Sequence, residues 1–226
     1  MAQVSQFTIP ACAPETPAPL GDPRFRALLS AADWAALPTP VRKRFSKRLA
    51  GGGTVVYRGE ITETRFSRAG FWLAQTARLI GGPLPISRDT GTPAIVTVTE
   101  DIATQGQHWT RLYVRRSGFP QVIHSSKRFA GPTGLEEYVG AGIGMALSVH
   151  VEAGALVFRS AGYFVQLFGK RLALPRWLSP GALTVTHAEL GRNASGVGRF
   201  VFSLSVEHPR LGVLISQAAV FEDSAL

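Results

Sequence analysis

Cysteine is nearly absent: the chain of 226 residues has one, Cys12. A single thiol excludes an intramolecular disulfide and any metal site built from several cysteines, and it suits a reducing compartment. Charge is sparse too, at 17% of residues against 45% hydrophobic. A sizeable core is therefore available, and wholesale disorder is excluded. Acids are the scarcer sign, 15 against 24 Lys and Arg, which leaves a net charge of +9. That excess favours anionic partners: nucleic acid, a lipid surface or an acidic small molecule. Long apolar runs are missing as well. The longest, "GFWLAQTARLIGG" at 70–82, supplies about half of the roughly 20 residues a membrane span needs, and Arg78 interrupts it. An integral membrane protein is not expected; the run reads as a buried or docking helix over 70–80. No HExxH, paired-carboxylate or nucleophile-elbow pattern occurs, so neither a metal nor a cofactor is expected. "GAGIGMAL" contains GxGxxA from Gly142, but without the strand and helix that a phosphate loop requires.

Residues 1–22, "MAQVSQFTIPACAPETPAPLGD", are rich in Pro and Ala and read as a loose tail with no export leader, so a cytoplasmic location is expected. The rest, 23–226, reads as one domain. Two helical pieces occupy 23–50: "PRFRALLSAADWAAL", and "TPVRKRFSKRLA" with Thr39 as candidate cap and Pro40 behind it. In the second, Val41, Phe45 and Leu49 recur every four residues beneath Arg42, Lys43, Arg44, Lys47 and Arg48. This is an amphipathic helix whose basic face could meet anionic lipid or an acidic partner. With no aromatic platform or zinc pattern beside it, nucleic-acid binding is not expected. "TVVYRGEITETRF" is strand-like. From about 93 to 221, β-rich segments follow one another, separated by short breaks containing Gly, Ser, Asn or Pro. The spacing predicts an antiparallel meander. The fold class is α+β, mainly β: a large curved antiparallel sheet or partly open barrel with the N-terminal helices packed on it.

The segment "QHWTRLYVRRSGFPQVIHSS" at 107–126 carries the sharpest candidate site. Alternation puts Trp109, Arg111 and Tyr113 on one face. A turn centred on Ser117-Gly118, of two or four residues, sets Arg111 against His124 and Trp109 against Ser126. A turn at Gln105-Gly106 sets Arg111 against Glu100. The two hairpins then form a row Glu100–Arg111–His124 walled by Trp109 and Tyr113, with Ser126 beside Trp109. Arg111 could hold a carboxylate in two-point fashion, His124 and Glu100 could move a proton, and the aromatics would supply apolar walls. The plainer alternative is a cross-strand Glu–Arg–His ladder on a solvated sheet.

Other polar positions are weaker candidates. Ser148, His150 and Glu152 share the face opposite Met145, Leu147, Val149 and Val151, so His150 should face solvent. Glu136 and Glu137 are adjacent on a strand and point apart. His187 and His208 are isolated.

In sequence order, "LPTPVRKRF", "VVYRGEI", "LIGGPLP", "HWTRLY", "IHSSKRF", "LEEYVG", "FGKRLALPRWLSP" and "GRFVFSLSVEHPRLGVL" resemble a bacterial domain-of-unknown-function family, DUF4166. The resemblance runs from about Leu37 to Val220. Its members occur alone or appended to saccharopine-dehydrogenase-like reductases, which implies a possible reductase partner and no settled activity. Three functions remain open. The first is binding of a mainly apolar small molecule with an anionic group in a sheet-lined cup, through Arg111, Trp109, Tyr113 and Ser126. The second is a cyclase, isomerase or hydrolase-type enzyme on that cup, using His124 and Glu100. The third is peripheral docking on a membrane or acidic partner through the helix at 41–49.

Overall fold

The computed structural model describes residues 21–168 and 170–223. Most of the Pro/Ala-rich segment, Cys12 included, lies outside the described residues. Gly21 and Asp22 are already anchored: Gly21 bridges Lys47, and the Asp22 N–H donates to the Ser46 carbonyl at 2.6 Å.

Eleven strands form one antiparallel sheet: β1 (Thr54–Phe66), β2 (Thr92–Asp101), β3 (Gly106–Tyr113), β4 (Gln121–Arg128), β5 (Glu136–Gly140), β6 (Ile143–Glu152), β7 (Ala155–Leu167), β8 (Lys170–Ala173), β9 (Ala182–Arg192), β10 (Gly198–His208) and β11 (Gly212–Glu222). Each pairs with its neighbour in sequence except at β8, which hangs on the end of β7 and leaves the rest of β7 to pair with β9. β1 also pairs with β11, which joins the two ends of the meander and closes ten strands into an up-and-down barrel. Closure removes the exposed edges that an open sheet would leave. The mainly β fold expected from the sequence, a large curved antiparallel sheet or partly open barrel with N-terminal helices packed on it, is what forms, and the curvature runs to full closure. Period-2 patterning explains the inward faces. On β2, Ala94, Val96 and Val98 are buried, and the residues between them are not.

Helices cover both ends. Where β2 meets β3 and β6 meets β7, three short helices form a plug: α1 (Arg24–Ala27), α2 (Ala31–Ala36) and α3 (Thr39–Phe45). Phe25, Trp34, Leu37, Val41 and Phe45 insert into the core from there; each such side chain contributes about 1.5–3 kcal/mol on burial. The first helical piece is broken at Leu28–Ser30, and Ser30 caps α2 by accepting from the Asp33 N–H. The second is shorter than its amphipathic pattern suggests. It ends at Phe45, and Lys47 turns to pair with Gly21. Pro38, not Thr39, occupies its cap position.

At the opposite end α4 (Arg68–Thr76), capped by Ser67, runs into a 3-10 turn, Ala77–Ile80. This unit spans the mouth as a lid. It starts against β11, where a Cβ on Gly70 would lie 1.8 Å from the Leu214 carbonyl oxygen. It finishes against β5, where a Cβ on Gly140 would lie 2.4 Å from that of Ile80. Only glycine permits either approach. A second short 3-10 turn, Arg176–Leu178, precedes β9 at the same end.

Candidate ligand-binding site

Trp109, Arg111 and Tyr113 all turn into the barrel and are buried. The row Glu100–Arg111–His124 does not form. Arg111 lies between Val96 and Ile123, and His124 pairs with Thr110. The connection from Tyr113 to Gln121 covers 114–120, an odd number of residues, whereas a two- or four-residue turn was assumed. One residue of slip turns every side chain of β4 to the other face. His124 is therefore exposed on the outer wall, with its Nδ1 3.1 Å from Thr110 Oγ1. Ser126 lies on that outer side, buried, and donates to Asp101. Glu100 sits opposite Gln107 at the plugged end and accepts from the Gly52 N–H. The β2–β3 turn begins earlier than assumed because the Asp101 carboxylate ties it through the Thr104 N–H and hydroxyl.

The partners of Arg111 come from β4 and β5. Its Nη2 donates to Ser125 Oγ at 2.9 Å and to Glu137 at 3.1 Å, and Lys127 Nζ donates to the other Glu137 oxygen at 2.8 Å. All three charged side chains are buried, at 7% (Arg111), 3% (Lys127) and 5% (Glu137) residual exposure. Burial pushes the Glu137 carboxyl up, but the Lys127 ammonium, the Arg111 guanidinium and hydrogen bonds from Lys127 and Ser125 outweigh it and hold the group at about 2. Lys127 is lowered, first by burial and then by Arg111, with Glu137 opposing. Its ammonium also lies 5.0 Å from the Trp109 ring centroid, a cation–π contact. The cluster holds two cations and one carboxylate, and Arg111 Nε has no hydrogen-bond partner among the described residues.

This cluster borders a cavity of about 320 Å³ beneath the lid, at the lower end of the range for small-molecule sites (about 300–1,000 Å³). Its wall is mostly apolar, with Leu73 and Ile80 from the lid and Met145, Leu183 and Val206 from the barrel. Arg111, Glu137 and Tyr113 supply polarity from β3 and β5, and Tyr163 and Gln217 add polar groups from β7 and β11. The exposed residues Thr76 and Leu178 also belong to the wall, so the cavity reaches the surface between the lid and the turn 176–178. Trp109, stacked on Phe202 at 6.2 Å, stands apart from this cavity and lines a smaller one of about 40 Å³ under the plug.

His187 lines the smaller cavity, buried among Phe45, Phe200 and Arg44. Burial and the adjacent guanidinium lower it to about 3, so near neutrality the imidazole is uncharged. Arg44 itself is held by Glu189 and Asp223 at 2.5 and 2.6 Å. It belongs to the interior, not to the basic outer face that the α3 pattern suggested.

In the sequence Glu137 stands out only as half of a poorly placed carboxylate pair with Glu136, and Lys127 does not stand out at all. Period 2 turns Glu137 inward and Glu136 outward, as expected of adjacent strand residues, and both meet cations, Glu137 with Arg111 and Lys127 and Glu136 with Arg171; nothing in "LEEYVG" tells which of the two enters the barrel. Among the described residues no group of three or more His, Cys, Asp or Glu side chains could hold a metal ion, and no helix is long and apolar enough to cross a membrane.

The fold and cavity define a closed antiparallel β-barrel with a lidded, cationic interior. The chain belongs to the family described as a domain of unknown function, DUF4166, whose model matches residues 37–221. No curated protein and no solved structure matches the chain.

Proposed function

We propose that the barrel binds an amphipathic small molecule, with its anionic group on Arg111 and its apolar part along the lid. The observation that carries this reading is the unmatched charge: two buried cations face one carboxylate, and Arg111 Nε is unpartnered at the wall of a mostly apolar cavity. A buried cation without full compensation is costly, and a ligand carboxylate would supply the missing partner in a geometry suited to guanidinium.

The test compares dodecanoate with dodecanol on protein stripped of bound lipid. A charge-assisted hydrogen bond is worth about 1.5–3 kcal/mol, so Arg111→Met should weaken dodecanoate binding about 10- to 100-fold and leave dodecanol nearly unchanged. Equal affinity of wild type and variant for dodecanoate would remove the proposal. Mass spectrometry of solvent extracts from the purified protein should find an acidic amphiphile. The enzyme alternative loses its proposed acid and base, because His124 lies outside the barrel and Glu100 at the plugged rim.

A further inference from the structure

The lidded end differs from the rest of the surface in two independent ways. Most of the exposed large hydrophobic side chains stand there, among them Trp72 (67% exposed), Leu79 (88%) and Trp177 (80%), with Phe119, Phe168 and Leu211 on neighbouring connections. The stretches at that end, 67–91, 114–120, 168–181 (which includes β8) and 209–211, also carry nine Lys or Arg and one acid, Asp89; of the nine, Arg171 is paired with Glu136. The plugged end is basic too, through Arg26, Arg42, Lys43, Lys47 and Arg48, but its Arg24 and Arg44 are neutralised by Asp22, Glu189 and Asp223, and it lacks the cluster of exposed large hydrophobic side chains that marks the lidded end.

Exposed indoles and leucines interleaved with cations match the boundary of an anionic bilayer. Tryptophan favours that interface, and each Lys or Arg near it adds about 1 kcal/mol of attraction. The apolar residues occupy several connections around a ring, so one flat surface can meet them together. We infer that the lidded end docks on an anionic membrane surface, with Trp72, Leu79 and Trp177 entering the interface and Arg78, Lys170 and Arg176 meeting headgroup phosphates. This orientation would turn the gap between the lid and the turn 176–178 toward the lipid. Only that purpose rests on the proposed binding of an amphiphile; the docking itself rests on the rim.

The full chain is sedimented with vesicles of phosphatidylcholine containing 30% phosphatidylglycerol and with vesicles of phosphatidylcholine alone. Binding is expected to the anionic vesicles, falling as salt rises. The triple variant Arg78→Gln, Lys170→Gln, Arg176→Gln should bind about 100-fold more weakly, at about fivefold per charge. A plugged-end triple that removes as much charge, Arg26→Gln, Lys43→Gln, Arg48→Gln, should lose less than fivefold. The Trp72→Ala, Trp177→Ala pair should also weaken binding, and it repeats the test without changing charge. No binding to anionic vesicles at low salt, or equal losses for the two triples, would overturn the inference. Arg111→Met should sediment like wild type, so failure of the cavity reading and failure of docking are told apart.

Discussion

Glu137 balances two buried cations, and the two ways of breaking that cluster should differ sharply. Glu137→Gln leaves Arg111 and Lys127 facing each other without a counter-ion. Removing one partner from a buried ion pair costs about 3–5 kcal/mol, and here the remaining charges also repel. Lys127→Met leaves the Arg111–Glu137 bond of 3.1 Å intact. It places a flexible apolar chain near Trp109 and Phe158, where the Lys127 ammonium sat at 5.0 and 5.8 Å. The lost hydrogen bond is offset by no longer burying an ammonium, so the change should stay within about 1 kcal/mol. Urea unfolding at pH 7 on lipid-stripped protein, followed by tryptophan emission, reads both variants. The midpoint should drop strongly for Glu137→Gln and little for Lys127→Met, with unchanged slopes. Equal losses would refute the reasoning, because they would mean that the cluster is a balanced network without surplus positive charge.

Two further perturbations probe the plug and the lid. His187 titrates at about 3 in the folded protein against an ordinary 6.5. The unfolded chain therefore takes up the proton first, and stability that is full above pH 6.5 should fall below it by about 1.4 kcal/mol per pH unit; His187→Gln should flatten urea midpoints measured between pH 7 and 5, and an unchanged pH profile would exclude this source. Gly70→Ala forces a methyl onto the Leu214 carbonyl and should cost about 1–3 kcal/mol while loosening the lid, read as a lower melting temperature and faster release of bound dodecanoate.

Strand positions were legible because β-branched residues and period-2 alternation are local. β1 spans 54–66, the limits of "TVVYRGEITETRF". β5 carries only a faint strand signal, because it has five residues and begins with two buried glutamates on opposite faces. β8 is an appended edge strand of four exposed residues. That Trp109, Arg111 and Tyr113 share one face needed only alternation within a single strand, and it holds in the fold. Their cross-strand partners needed the number of residues in a turn, and the choice between an even and an odd loop at 114–120 leaves no local mark in "VRRSGFP". Barrel closure is non-local in the same sense, since the pairing of β1 with β11 joins residues far apart in the chain, from Phe66 with Ile215 to Arg58 with Glu222.

The chemistry of the interior favours holding an anion over moving a proton. A general base at neutral pH works best with a pKa near 7. Glu137 is held at about 2 by Lys127 and Arg111 despite its burial, so it is a weak base, and His187 at about 3 lines the other cavity. What keeps Glu137 ionised is the surplus of cations that would also attract a ligand carboxylate. The lidded rim carries the same sign of charge as the cluster beneath it. An anion approaching that end is attracted first by exposed cations and then by buried ones, and the attraction strengthens as water is left behind.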